Sequence, residues 1–426
     1  MKRRLLRLVA PGAALVAVAL VAAGAGLSTG AGATPVFNPV VIKPSQGLNL
    51  GEPGIAVASD GSALYVNAPT GISSPSKVFK STDGGATWAD TPQSGRANLP
   101  GGGDSNVAAD PTSPKTLYMT DLWLGSATVS VSKDGAATWT ANPVQGVVVQ
   151  DRQWIATPGG GIAYHLTHQI PAGLVVSKSV DGGLTYPQHT VAATPADQTG
   201  CVCPPGTLIA EGSSLVGAGN VGFVYSTSTG GVNFARSTNG GLTFTNVAVR
   251  ASDSASDTGR AFPVVANAGG NHLVAVWQEV APDGKSWSQI GFSESTNWGS
   301  TWSTPTYIVG KTSGSLYPWV DAKGSKVAVS LYHTATAGVS DSVPAGTQWF
   351  ESYLERVNGT WSSLVTVDPT VVKTGPICTG GINCNGNREL LDFQSVALDP
   401  GGAANLTWTR SIDNASTTEL RFAHES

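Results

Sequence analysis

The chain is 426 residues long, with 53 glycines, 26 prolines, only 12% charged side chains and a formal net charge of −4. Such a turn-rich, charge-poor composition argues for an all-β chain over a helical one. It offers no basic surface for nucleic acid, and beyond residue 33 no stretch approaches the roughly 18 apolar residues a membrane-spanning helix needs.

Taken in chain order, the first 33 residues read as an export signal. Lys2, Arg3, Arg4 and Arg7 form a basic start, residues 8–27 are apolar, and Ala31-Gly32-Ala33 offers a small-x-small cleavage site. The mature chain, 34–426, shows no linker or composition break and is expected to be one extracellular, monomeric domain. Residues 36–43 form a strand without a local partner. Seven pairs of strand-like runs follow, at 54–67, 105–121, 153–167, 207–226, 262–278, 318–333 and 393–410.

After each of the first five pairs comes one eight-residue pattern, Ser-x-Asp/Asn-x-Gly-x-Thr-aromatic, at 81–88, 132–139, 179–186, 237–244 and 295–302. Its third position is Asp83, Asp134, Asp181, Asn239 and Asn297 in turn, and the second copy carries Ala136 in place of the glycine. Recurrence about every 50 residues marks an array of supersecondary units. Each copy is read as a hairpin turn. The Asp or Asn is expected to accept from backbone N–H groups two residues on, the glycine to supply a positive φ, and the aromatic to pack inward. The sixth pair is followed by weaker runs at 351–356 and 361–367. The seventh ends at 419–424 with no fourth strand after it. Pairing 36–43 with 419–424 would complete the last unit and remove two free edges. The expected fold is therefore a single all-β propeller of seven four-stranded blades, with six blades as the alternative.

In a propeller the residues at the start of each innermost strand crowd one mouth of the central channel. Here they are Glu52, Asp104, Asp151 with Arg152, Arg260, Tyr317, and Arg388 with Asp392. Only the fourth blade breaks the pattern, with Pro204-Pro205. In a chain so poor in charge this is a concentration of chemistry. Arginines grip carboxylates or sulfates bidentately. A tyrosine beside a carboxylate suits a nucleophile, and a second carboxylate suits a proton donor to a leaving oxygen. Mutual charge pairing that fixes the blade starts is the structural alternative. His165 and His168 are spaced i, i+3 in a strand, which does not face them together, so neither a metal nor a cofactor is expected. Of the three pairings open to Cys201, Cys203, Cys378 and Cys384, the short glycine-rich loop favours Cys378–Cys384, and Cys201–Cys203 would follow.

The repeated pattern resembles the Asp-box (BNR) signature found in sialidases and in several unrelated propellers. As a turn it implies the fold and not the chemistry. The mouth resembles a sialidase site, and by that resemblance Arg152, Arg260 and Arg388 stand for an arginine triad holding a sugar carboxylate. Tyr317 stands for the nucleophile and Asp104 for the acid. The chain departs from sialidases at Leu50-Gly51-Glu52-Pro53, where they carry a Phe/Tyr-Arg-Ile-Pro motif, so its three arginines are a different three. Three functions fit, all with a carbohydrate or glycoconjugate as partner. They are a sialidase-like exo-glycoside hydrolase, a non-catalytic propeller binding glycan or protein, and a polysaccharide-cleaving propeller using Glu52, Asp104, Asp151 or Asp392 as acid and base.

Overall fold

The computed structural model describes residues 34–42, 49–71, 74–97, 101–123, 125–144, 149–194, 205–212 and 218–426. The expected export segment, and the expected Cys201–Cys203 bridge, lie outside the described residues.

Seven antiparallel four-stranded units form among the described residues, each a meander running outward from its innermost strand. These innermost strands are Gly54–Val57, Ser105–Ala109, Gln150–Gly159, Leu208–Glu211, Val264–Gly269, Gly314–Lys323 and Ser395–Leu398. The fold is a seven-bladed β-propeller, and six blades are excluded. In blade 6 the outer position is shared by three two-residue strands along Gln348–Val357, which is why its fourth strand is so faint in the sequence. Blade 7 takes its outermost strand from the N-terminus. Phe37–Ile42 runs antiparallel to Thr418–Glu425, with Phe37 opposite Glu425 and Ile42 opposite Leu420.

The blades are apolar wedges. Alternate residues of each strand face the neighbouring blade, as in the buried group of Ile42, Leu64, Val66, Phe79, Leu420 and Phe422 between blades 7 and 1. The repeated turn joins the third strand to the fourth in blades 1 to 5, and its glycine is where the preceding blade docks. A Cβ on Gly85 would lie 1.9 Å from Phe422, and one on Gly299 would lie 2.3 Å from Phe234. Cations just ahead of the turn tie blades together as well. Lys80 donates to the Gly135 carbonyl at 3.1 Å and Arg236 to that of Trp298 at 2.7 Å.

The turn's hydrogen bonds differ from the expected two-residue Asx closure. In the first copy Ser81 Oγ accepts from the Gly85 N–H at 2.9 Å, and Asp83 Oδ1 accepts from the N–H of Thr87, four residues on, at 2.9 Å. Thr87 Oγ1 also donates to Asp83 Oδ2 at 2.6 Å. The longer reach arises because the serine, rather than the aspartate, closes the tight bend. In the Asn copies the last bond reverses direction, with Asn239 and Asn297 donating to Thr243 and Thr301 at 2.8 Å. A sixth turn of this kind, centred on Asp413, lies between the second and third strands of blade 7. It lacks the glycine and the aromatic, so the pattern does not reveal it.

The carboxylate form is what these turns hold. Hydrogen bonds from Thr87 and Thr138 bring Asp83 and Asp134 down to about 2, and in Asp181 the Thr185 and Ser179 bonds overcome burial to reach the same value. A depressed carboxyl stabilises the fold above its unfolded pKa, and that contribution disappears as pH falls through the folded value. Thermal stability is therefore expected to drop between about pH 4 and 2. Because Asn already serves in two copies, the triple substitution Asp83→Asn, Asp134→Asn, Asp181→Asn should fold and flatten that drop. An unchanged acid limb in calorimetry of the triple variant would remove these three carboxyls from the explanation.

Candidate functional site

Antiparallel alternation puts the starts of all seven innermost strands at one mouth and the five repeated turns at the opposite face. At the mouth the backbone is unusual. Glu52, Arg152, Tyr317 and Leu391 are non-glycine residues at φ of 47°, 33°, 50° and 60°. Each costs on the order of 1 kcal/mol, which the surrounding packing must supply. Arg152 and Tyr317 are not ahead of their strands, as the sequence suggests. They sit inside the long strands Gln150–Gly159 and Gly314–Lys323, at register breaks between Asp151 and Gln153 and between Leu316 and Trp319. A bulge re-aims a side chain without ending the strand.

Arg152 is the centre of the cluster and is only 1% exposed. Its Nη1 lies 3.3 Å from Glu52 Oε2 and 3.9 Å from Asp104 Oδ2, and its Nη2 donates to the Ser105 carbonyl at 3.2 Å. Its guanidinium carbon is 4.2 Å from the Trp154 ring centroid, 4.7 Å from Phe393 and 5.5 Å from Phe262. With Trp319 stacked on Phe393 at 5.1 Å, these rings form an aromatic layer across the channel. Beyond it lies a cavity of about 390 Å³ lined by all seven innermost strands. The aromatic layer is absent from the sequence reading, although a signal exists: Trp154, Phe262 and Trp319 each follow a mouth residue by two positions, and Phe393 follows Asp392 directly.

Three carboxyls converge on this arginine and on Arg388. Burial, then the nearby Asp104 and Asp392, hold Glu52 well above the ordinary carboxylate range, against the opposing pull of Arg152 and Arg388. Burial likewise raises Asp104 and Asp392, although Arg152 and Arg388 oppose it. Asp392 shares a hydrogen bond with Glu52 and an ion pair with Arg388. Glu52 is 2% exposed, whereas the side chains of Asp104, Asp392 and Arg388 are 25%, 26% and 27% exposed. The last three are the groups of this cluster that are partly open to solvent. Asp151 is exposed and caps the Arg152 N–H at 2.8 Å. Tyr317 is buried, and its hydroxyl donates to the Leu391 carbonyl at 2.8 Å. Burial and the neighbouring Asp392 push its phenol well up.

The structure does not bring Arg260 to this cluster. It pairs with Asp341 at 2.8 Å and Asp257 at 3.3 Å. Asp341, which the sequence reading missed, also accepts from the Thr379 N–H at 3.1 Å. Thr379 belongs to the loop closed by the Cys378–Cys384 disulfide, whose pairing is as expected. The Cys378 N–H in turn donates to the Asn387 carbonyl at 2.9 Å, next to Arg388, so the bridged loop sets where Arg388 stands. His165 is buried, with its Nε2 3.1 Å from Thr120 Oγ1. Among the described residues no group of three His, Cys, Asp or Glu is arranged to hold a metal ion.

No family model and no curated protein matches this chain. Among solved structures it is similar to the BP39L lectin from Burkholderia pseudomallei, with 13% identity and a TM-score of 0.54 over 87% of this chain and 99% of the lectin. Weaker likenesses include the phage phi92 endosialidase, at 11% identity and a TM-score of 0.49 over 92% of this chain and 69% of that one. Another is the NanB sialidase from Streptococcus pneumoniae, at 11% identity and a TM-score of 0.41 over 91% and 70%. At such identity the likeness is one of fold: this chain shares the β-propeller architecture of the BP39L lectin.

Proposed function

We propose that the mouth is a glycan site and that the protein is an exported exo-glycoside hydrolase working with carboxyls. The observation that carries this reading is the crowding of Glu52, Asp104 and Asp392 around Arg152 and Arg388, with all three carboxyls pushed up. Carboxyls so crowded do not ionise together, so one keeps a proton while a neighbour is charged, which is the state an acid–base pair requires. The protonated member gives its proton to the glycosidic oxygen as the C–O bond breaks. The ionised member takes a proton from the water that attacks the anomeric carbon. The aromatic layer closes the channel below, so the site receives a chain end.

Of the arginines, Arg388 supports a substrate contact, because it is partly open to solvent. Arg152 supports an internal role, because it is enclosed. Tyr317 gives less support as nucleophile, since its hydroxyl is already committed to a main-chain carbonyl. The basic and apolar N-terminus and the Cys378–Cys384 bridge support export.

The test is a panel of fluorogenic glycosides, an α-sialoside included. Asp392→Asn and Asp104→Asn should each lower the hydrolysis rate by about 10²-fold or more while folding normally. Hydrolysis indifferent to both substitutions would overturn the mechanism. A wild-type protein that binds glycans without cleaving them, and loses binding in Arg388→Ala, would make the mouth a lectin site. The closed Arg388–Asp392 pair favours that second reading.

A further inference from the structure

We infer that Tyr317 is a positioning residue, whose hydroxyl aims the Asp392 carboxyl into the mouth by holding the turn that carries it. Resting on the reading of the mouth as a glycan site, this gives Tyr317 a role there other than nucleophile. The turn spans residues 388–392. The Leu391 N–H donates to the Arg388 carbonyl at 2.9 Å, and Leu391 stands at a φ of 60°, in the left-handed region that a bulky side chain rarely adopts. No ladder keeps it there, because the innermost strand of blade 7 begins only at Ser395.

Two bonds to blade 6 bracket the acid instead. The Tyr317 hydroxyl donates to the Leu391 carbonyl at 2.8 Å, just ahead of Asp392. The Gln394 side-chain amide donates to the Tyr317 carbonyl at 2.9 Å, just after it, and Gln394 is itself fixed by Ser330 Oγ at 2.8 Å. One residue of blade 6 thus grips the chain on both sides of Asp392 and Phe393. The register break at Tyr317 turns its ring toward blade 7 for this purpose. Leu391 also fills the space over Gly51, where a Cβ would lie 2.7 Å from its Cδ1, so the turn meets the residue ahead of Glu52. Held in this way, Asp392 makes its hydrogen bond with Glu52 and its ion pair with Arg388.

The start of the turn has an anchor of its own. Glu389 is buried in an ion pair with Lys373 and accepts from Ser411 Oγ at 2.9 Å, and Leu390 is fully buried. Arg388 is therefore tethered without Tyr317. The Gln394 bond uses the Tyr317 main chain and survives loss of the hydroxyl, so such a loss acts on Leu391 and Asp392 alone. The net worth of one neutral hydrogen bond and the cost of a left-handed leucine are of the same order. With the hydroxyl gone, Leu391 relaxes and the Asp392 carboxyl swings toward solvent.

The experiment compares the full mature protein with its Tyr317→Phe and Tyr332→Phe variants, both of which keep the ring and should fold. Tyr332 is the control. It is fully buried 5.9 Å from the Tyr317 ring, and its hydroxyl donates to the Thr409 carbonyl at 3.0 Å, in the same seam but not to the Asp392 turn. The first readout needs no activity: the Asp392 carboxyl is titrated by carboxyl-carbon NMR, its signal identified by its loss in Asp392→Asn. Burial raises this group against the pull of Arg388, Arg152 and the Glu52 hydrogen bond. In Tyr317→Phe it should fall by about one unit toward the ordinary carboxylate value, and in Tyr332→Phe it should stay where it is. The second readout is the glycoside panel. Tyr317→Phe should lower kcat about tenfold with KM unchanged, a smaller loss than that of Asp392→Asn, and move the pH–rate profile with the titration. An Asp392 titration unchanged in Tyr317→Phe, or shifted equally in both variants, would overturn the inference. So would complete loss of hydrolysis in Tyr317→Phe, which would make the phenol the nucleophile. A wild type that cleaves nothing on the panel, with the titration shifting as expected, would remove the hydrolase and keep the role of Tyr317 in aiming Asp392.

Discussion

A chain lacking Phe37–Ile42 is expected to fail as a monomer. That strand supplies the outer edge of blade 7, where six residues pair with Thr418–Glu425. It also buries Ile42 completely, about 2–3 kcal/mol of transfer free energy on its own, and sets Phe37 edge-on against Tyr353 at 5.0 Å. The local gain is partly cancelled by the entropy of ordering six residues. The larger loss is topological. Without it blade 7 has three strands, and the long Thr418–Glu425 edge offers unpaired N–H and C=O groups to any other chain. Size-exclusion chromatography should show soluble aggregates. A peptide of residues 34–44 added in trans should restore part of the monomer peak. A truncated chain that stays monomeric and melts at the wild-type temperature would mean that the ring closes without this strand.

The closure was legible because it follows from counting. A strand without a partner at one end and an incomplete blade at the other have one economical solution. The repeated turn was equally legible, since in all five copies the Ser accepts from the N–H four residues on and the Asp or Asn accepts from the Thr N–H. The mouth was legible as a set of positions but not as a set of partners. Periodicity places Arg152, Arg260 and Arg388 at equivalent blade starts. It cannot say that a bulge turns Arg152 into the channel while Arg260 is drawn sideways by Asp341, a residue in a different blade's loop. Nor did charge patterning reveal the aromatic layer. Trp154 and Trp319 look like ordinary core residues until the ring brings them together across the axis, tilted by 55° with centroids 5.5 Å apart.

Replacing Arg152 by Met should cost about 3–5 kcal/mol, the largest single-residue effect expected at the mouth. The guanidinium is the one group that touches Glu52, the Ser105 carbonyl and three ring faces at once. Methionine matches its volume and keeps the apolar contacts. It leaves Asp104 without its nearest cation and the Ser105 carbonyl without that donor. In a domain of this size the loss amounts to roughly 5 °C in melting temperature. Glu52→Gln should behave differently. Since Glu52 is held well above the ordinary range, its folded form keeps a proton while the unfolded chain ionises. Its contribution to stability is therefore greatest below the unfolded pKa of about 4.5 and is lost as pH rises toward the folded value. Glutamine mimics the protonated acid and has nothing to ionise, so the variant should match wild type in acid and gain on it toward neutral pH. Melting curves of both variants between about pH 4 and 8 decide the matter. A Glu52→Gln protein that loses stability at neutral pH as severely as Arg152→Met would show that the buried pair is charged on both sides. Asp104 and Asp392 would then titrate beside a charged Glu52 and not a neutral one.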